Sequence, residues 1–284
     1  VQLNPDDQYR RAVAFARLHE GDRAFVVANA WDAGSARLLW QLGFQALATT
    51  SAGLALSLGR PDGANLVGRD EVLENARAIV AATPLPVSSD LESCYADSAE
   101  GVAETIRLAA EAGLVGASIE DATGDPDHPI RPAAEATERV AAAVEAARAL
   151  PFPFTLTARA ENFLYGRADL KDTIARLQAF EEAGADVLYA PALPDLDAIR
   201  TVRAAVGKPL NVLAGVGATA SVDELSTCGA RRISVGSAFA RAALGGFLGA
   251  ALEVRDHGTF AFVEGALAYG EANERMSCGG GSGA

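Results

Sequence analysis

One punctuation recurs along this chain and restricts its fold more than any other feature. A helical stretch ends in Gly, and a β-rich run begins within one to three residues. It occurs as LGFQALATT around Gly43, AGLVGASIE around Gly113, AGADVLYA around Gly184 and CGARRISV around Gly229. Glycine closes a helix in the left-handed region at little steric cost, and a short loop then feeds the next strand. Such junctions, four times over, predict repeated βα units. Strands are expected at 24–29, 45–50, 86–90, 115–120, 154–159, 186–190, 210–214 and 232–236. These runs are short and rich in apolar or small residues, as parallel strands covered by helices are. Helical spacing fills the gaps, in Val72, Leu73, Ala76, Ile79 and Val80, in Leu170, Ile174 and Leu177, and in Leu196, Ile199, Val202 and Val206. Ser221 and Glu224 form a capping box after strand seven. The expected fold is α/β, a (β/α)8 TIM-type barrel, with a doubly wound open sheet as the alternative.

The barrel domain is expected to span residues 1–276. Its last stretch, Thr259 to Met276, reads as an extra C-terminal helix with Phe260, Val263 and Leu267 on one face, either capping the barrel or packing on a partner subunit. Residues 277–284 form a Gly/Ser-rich tail expected to be disordered.

Charge narrows the function classes. With 24 basic against 37 acidic side chains the formal net charge is −13, which argues against a nucleic-acid partner. An anionic small molecule stays open, because metal, Arg and backbone N–H groups make a site locally positive. Three cysteines without metal-ligand spacing, no signal-peptide pattern and no long apolar run predict a cytoplasmic protein with no membrane partner.

In a barrel of this kind chemistry collects at the carboxyl ends of the strands. Strand one ends in Asn29, Trp31 and Asp32, strand two in Thr49, Thr50, Ser51, Ala52 and Gly53. Strand three ends in Asp90 and Glu92, strand four in Glu120 and Asp121, strand five in Arg159 followed by Glu161 and Asn162, and Asn211 lies on strand seven. Asp90 and Glu92, two apart, point to one side of a strand. Crowded carboxylates repel and raise one another's pKa, a conflict that a hard divalent cation removes. Oxygen-only donors point to Mg²⁺ rather than Zn²⁺, with Mn²⁺ also admissible. The plainer reading is that each acid caps the following helix or pairs with an Arg. Arg159 either balances the acids or clamps a substrate carboxylate. The Ser51-Ala52-Gly53 turn offers backbone N–H groups to an anion.

These segments together resemble the isocitrate lyase/phosphoenolpyruvate mutase superfamily. The residues that carry the likeness are NAWDAGSARLL (29–39), ATTSAGLALSLGRPDG (48–63), SDLESCY (89–95), ASIEDATGD (117–125) and TARAEN (157–162), in order over most of residues 20–240. The resemblance implies a Mg²⁺-dependent barrel that makes or breaks a C–C or P–C bond beside a 2-oxo or 2-hydroxy carboxylate. By position it implies that Ser51, Ala52 and Gly53 hold the substrate, with Trp31 and Asn211 as further contacts. It also implies Asp62, Asp90, Glu92 and Glu120 around the metal, and Arg159 and Glu120 in catalysis. A homotetramer or dimer is implied too.

The chain also departs from the pattern. Where lyases of the family carry a KKCG-like loop, this sequence reads DATGDPDHPIRPA, with neither Cys nor Lys. The mutases' Asn- and Lys-bearing gating loop is missing, and Pro191 stands about where lyases favour Glu. His128 and Arg131 remain as loop candidates, His128 because imidazole exchanges protons near neutrality. The expectation is a carbon–carbon lyase for a 2-hydroxy or 2-oxo di- or tricarboxylate, working through a metal-stabilised enolate of a 2-oxo acid. Alternatives are an oxaloacetate decarboxylase-type enzyme, a phosphonopyruvate or phosphoenolpyruvate mutase-type enzyme, and a non-catalytic 2-oxo-acid binding protein.

Overall fold

In the computed structural model, which describes residues 3–216 and 220–277, all four punctuating glycines adopt φ between +86° and +100°. The chain runs α1 (Pro5–Leu18), β1 (Phe25–Asn29), α2 (Ala33–Gln41), β2 (Ala46–Ala48), α3 (Ser51–Ser57), α4 (Arg69–Ala82), β3 (Val87–Asp90), α5 (Ala99–Glu111), β4 (Gly116–Glu120) and α6 (Ala133–Arg148). It continues through β5 (Thr155–Arg159), α7 (Leu170–Glu182), β6 (Val187–Tyr189), α8 (Leu196–Ala205), β7 (Leu210–Leu213), α9 (Val222–Thr227), β8 (Ala230–Ser234), α10 (Ala238–His257), a 3₁₀ turn (Ala261–Gly265) and α11 (Tyr269–Ser277). The strands pair in parallel and in chain order, and β8 closes on β1. This is a (β/α)8 barrel, and the open sheet is excluded.

Two apolar layers hold it. Leu73, Ile79, Ile106, Leu177 and Phe180 on the helices pack against the outer faces of the strands, among Leu47, Leu156 and Leu188. Each such side chain contributes about 1.5–3 kcal/mol on burial. The second layer was not anticipated. Asn4 caps α1 by accepting from the Asp6 N–H, with Pro5 at the first helical turn. Ala12 and Phe15 of that helix then meet Phe25, Val27, Ala46 and Val115. This cluster plugs the amino-terminal end of the barrel, so the carboxyl end is the open one.

Register decides which side chains become neighbours. Between β4 and β5 it runs from Gly116↔Thr155 to Glu120↔Arg159. Between β3 and β4 it sets Asp90 beside Ser118, and between β5 and β6 Arg159 beside Tyr189. β8 starts at Ala230, two residues ahead of expectation, because Ala230 already pairs with Leu210 of β7; Arg232, buried, pairs with Asn211.

The expected single helix over Thr259–Met276 is instead a 3₁₀ turn followed by α11. It does not cap the barrel: Phe260, Val263 and Leu267 are 65%, 59% and 48% exposed. The α11 end folds back on α2, where Arg37 and Gln41 donate to the carbonyls of Met276 and Arg275. Residues 278–284 of the expected tail lie outside the described residues. No described helix is long and apolar enough to cross a membrane.

Candidate active site at the carboxyl rim

The open end of the barrel leads into two adjoining cavities of about 260 and 250 Å³. Ser51, Asp62, Arg159 and Leu164 line both. Asp90 and Asn211 line the first, Glu92, Glu120 and Glu161 the second.

Arg159 is the centre of the arrangement. Its Nη1 lies 2.7 Å from Asp90 Oδ1 and 3.1 Å from Glu120 Oε2, and its Nε lies 2.9 Å from Glu161 Oε1. The guanidinium also sits 5.0 Å from the Tyr189 ring centroid. Register explains the set: Glu120 and Tyr189 are the lateral neighbours of Arg159 on β4 and β6. Asp90 Oδ2 accepts from the Ser51 hydroxyl at 2.8 Å and from its N–H at 3.3 Å. The carboxylate therefore meets the first turn of α3, where free N–H groups favour an anion.

Ser51-Ala52-Gly53 is not a turn but the start of α3, capped by Thr50. Gly53 is buried and lines neither cavity. Its N–H is already given to Thr50 Oγ1 at 3.2 Å, and a Cβ there would stand 2.5 Å from the Thr50 methyl and 3.0 Å from Trp31 Cβ. Gly53 is thus a packing residue, and Trp31 also lies outside the cavity walls. Asp32 caps α2 by accepting from Ser35 N, the plainer of its two readings.

Glu92 reaches the site by a route that strand alternation misses. β3 ends at Asp90, and Glu92, Cys94 and Tyr95 all adopt left-handed backbone, with φ of 48°, 61° and 52°. Such residues cost free energy that surrounding contacts must offset. Arg139, buried, supplies them by donating to the carbonyls of Ser93, Ala96 and Asp97, while Thr105 Oγ1 donates to the Cys94 carbonyl. Nothing in the local sequence signals Arg139, which lies over forty residues away in α6.

Asp121 leaves the acidic group expected of it. Its side chain turns away into a buried pair with Arg176 at 3.1 Å and accepts from the Glu161 N–H at 2.9 Å. Arg176 also donates to the Arg131 carbonyl, so the base of the 121–132 loop is pinned. That loop carries His128 into solvent, 85% exposed beside Asp125, and His128 lines neither cavity. Arg131 is engaged by Glu135 and Asp97. Neither loop candidate touches the site.

The sequence places Glu161 at the end of strand five without giving it a role, and it offers no sign of Arg232. Glu161 pairs with Arg159 and is almost fully buried; the Arg-x-Glu spacing was its only signal. Arg232 lies in the wall of the first cavity, donating to Asn211 Oδ1 and Thr157 Oγ1 at 2.8 Å each.

The electrostatics are unbalanced toward negative charge. Burial pushes the Glu120 and Glu161 carboxyls up, opposed chiefly by Arg159. Glu92 rises to about 7 through burial, then through repulsion from Asp90 and Asp62. Asp62 rises for the same two reasons, burial and Asp90. One guanidinium serves five carboxyl groups. Among the described residues no three His, Cys, Asp or Glu side chains converge as a ready-made metal cage. A cation held by one or two carboxylates and completed by water and substrate oxygens fits this donor set, which is how Mg²⁺ is ordinarily bound.

Comparison with known proteins agrees with this geometry. The sequence profile described as phosphoenolpyruvate phosphomutase matches residues 15–255. A chain of known structure from Burkholderia cenocepacia J2315, described only at the level of lyase/mutase, is 56% identical and superposes with a TM-score of 0.93, covering 96% of this chain and 98% of that one. The 2-methylisocitrate lyase of Salmonella typhimurium is 31% identical over 204 residues, 69% of this chain and 65% of its own length. The oxaloacetate decarboxylase of a Bradyrhizobium species is 31% identical over 222 residues, 76% of this chain and 74% of its own.

Proposed function

This chain belongs to the phosphoenolpyruvate phosphomutase family, within the isocitrate lyase/phosphoenolpyruvate mutase superfamily of lyases and mutases, and from that premise we propose that it is a Mg²⁺-dependent carbon–carbon lyase. Its substrate is a small 2-oxo or 2-hydroxy di- or tricarboxylate. The observation that carries the reading is the Arg159 group, in which one guanidinium, its side chain 12% exposed, holds Asp90, Glu120 and Glu161 at the rim of a closed barrel. Asp90 would hold the metal directly, and Glu92, Asp62 and Glu120 are the carboxylates that would help to hold it. A divalent cation there supplies Lewis-acid stabilisation to charge growing on a 2-oxo group.

The chain's own residues do the rest. Arg159 keeps the carboxylates in fixed relative positions, so the site is organised before substrate arrives. Ser51 holds Asp90 through hydroxyl and N–H, and the start of α3 with Ala52 offers the substrate carboxylate a positive dipole end. Together the residues 3–276 act as one barrel domain. Decarboxylation of a 2-oxo diacid is the second reading. The position of His128 in solvent favours it, because loss of CO₂ leaves the bond's electron pair as an enolate and needs no acid from the loop. The deciding assay measures Mg²⁺-dependent 2-oxo-acid release from isocitrate, 2-methylisocitrate, dimethylmalate, oxaloacetate and phosphonopyruvate, with Arg159→Ala as control. Turnover of a carboxylic substrate, lost in the control, supports the proposal; turnover of phosphonopyruvate alone rejects it, and binding without turnover makes the protein a 2-oxo-acid carrier.

Metal binding carries a pH signature. A carboxyl whose folded pKa is raised destabilises the fold progressively as pH climbs from its ordinary value to the folded one, because over that range the unfolded chain ionises freely and the folded state does not. For Glu92 the window lies between the ordinary value near 4.5 and about 7. Mg²⁺ relieves this repulsion only where the carboxyl is ionised. Saturating Mg²⁺ is therefore expected to raise Tm by several degrees more at pH 8 than at pH 5.5. An equal rise at both pH values contradicts the assignment.

The C-terminal region fits a self-association role. On α10, Leu244, Phe247, Leu248 and Leu252 are exposed, Phe247 by 73%, beside the exposed Phe260 and Val263. A second copy of the chain, as dimer or tetramer, is the proposed cover for this surface. Phe247→Asp with Leu248→Asp is expected to convert the assembly to monomers by light scattering; a monomeric parent protein refutes the proposal.

A further inference from the structure

The inside of a (β/α)8 barrel is ordinarily packed with branched apolar side chains. Here the first cavity descends from the rim into the barrel and is walled by Asn29, Thr49, Ser88, Ser118, Asn211 and Ser234. At its depth lies Arg232, only 5% exposed. Its Nε donates to Asn211 Oδ1 and its Nη2 to Thr157 Oγ1, both at 2.8 Å. Its Nη1 is buried with no hydrogen-bond partner, and no carboxylate pairs with it among the described residues. Every carboxyl group around Arg159 sits one layer higher, at the rim.

An arginine buried without a counter-charge is costly. Burial and the neighbouring Arg159 hold it down to about 10, yet a guanidinium remains charged at neutral pH under that shift. The fixed geometry points to what the cost is spent on. Asn211 Oδ1 holds the plane of the guanidinium, and Asn211 Nδ2 is itself tied to Ser234 Oγ at 3.0 Å. Thr157 lies two residues before Arg159 on β5, an advance of about 7 Å along a strand. Arg232 thus marks a second cationic level, about one residue pair below the first.

We infer that Arg232 binds the distal carboxylate of the substrate, which enters the barrel tail first while its 2-oxo-acid end remains at the rim. Asn211 is then a positioning residue that aims Arg232, not the carboxylate contact the sequence suggested. The inference deepens the lyase reading and rests on it for the rim anchor. It makes the enzyme selective for dianionic over monoanionic 2-oxo acids of equal length.

The test is calorimetric titration of the full chain with Mg²⁺, using three probes: oxalate, too short to leave the rim, and the five-carbon pair 2-oxoglutarate and 2-oxopentanoate. Parent protein is expected to bind 2-oxoglutarate about 30-fold more tightly than 2-oxopentanoate. Arg232→Gln should reduce that ratio to threefold or less while leaving oxalate affinity within about twofold, and Arg232→Lys should restore part of the ratio. Equal binding of the five-carbon pair by the parent protein, or a ratio unchanged in Arg232→Gln, overturns the inference and leaves Arg232 a structural plug. If Arg232→Gln fails to fold, the matched pair on the parent protein and on Arg232→Lys decides alone. Failure of oxalate to bind the parent protein is a different result, which rejects the rim anchor itself.

Discussion

Asp90→Asn is expected to lower kcat/KM on the true substrate by about a thousandfold or more, with the barrel still folded. The carboxylate accepts on all sides: the Ser51 hydroxyl and N–H, the Ser118 hydroxyl and Arg159 Nη1 all donate to it. An amide of the same shape must turn an NH₂ group toward either Ser51 or Arg159, both donors, and it removes the charge proposed to hold the metal. Losing one preorganised electrostatic element costs about 10²–10³ in rate, and here the proposed metal ligand goes with it. Steady-state kinetics and a Mg²⁺ titration on the same preparation make the check. Turnover and Mg²⁺ affinity both within about threefold of the parent protein would sink the assignment of Asp90, and with it the centre of the proposed site.

The second large effect is on stability, at a place where no chemistry occurs. Asp121→Ala is expected to cost about 3–5 kcal/mol, the usual result of removing one partner from a buried ion pair. For a chain of this size that is roughly a 10 °C fall in Tm. Arg176 would keep Asp172 at 2.8 Å but lose its buried partner, and the Glu161 N–H would be left without an acceptor. Burial is the largest influence on Asp121 and pushes its carboxyl up in spite of Arg176, so the pair is expensive to keep in the interior. The double replacement Asp121→Leu with Arg176→Met should accordingly recover most of the lost stability. Thermal melts of the three variants test both statements. A single variant within 2 °C of the parent protein would show that the pair does not hold the loop base.

Asp121 and Glu120 also show how far a one-dimensional reading reaches. Adjacent in sequence, they look like two members of one acidic rim. Adjacent residues at a strand end face opposite ways, and the structure sends Glu120 to Arg159 and Asp121 to Arg176. The reverse error occurred at Glu92, where strand alternation gave the right neighbourhood for the wrong reason. His128 was attractive for its chemistry alone, and its exposed place beside Asp125 removes it. Arg159 could be found because a charged side chain ending an apolar strand breaks a local pattern. Arg232 could not, because an arginine at the first position of an expected strand, away from its carboxyl end, gives no local sign of burial.

Local signals in the chain suffice for the βα repeat, for the eight strand positions to within about two residues, and for which carboxylates stand at strand ends. These depend on interactions within a few residues: a helix closed by glycine, an apolar period, a cap. Which side chains face one another is set by the closed barrel. The closure of β8 on β1, the plug made by Phe15, the Arg139 clamp on the 93–97 carbonyls and the buried place of Arg232 all join residues far apart in the chain. Register and burial are properties of strand pairs and cavities, and the free energy that selects them comes from contacts that exist only once the barrel has closed.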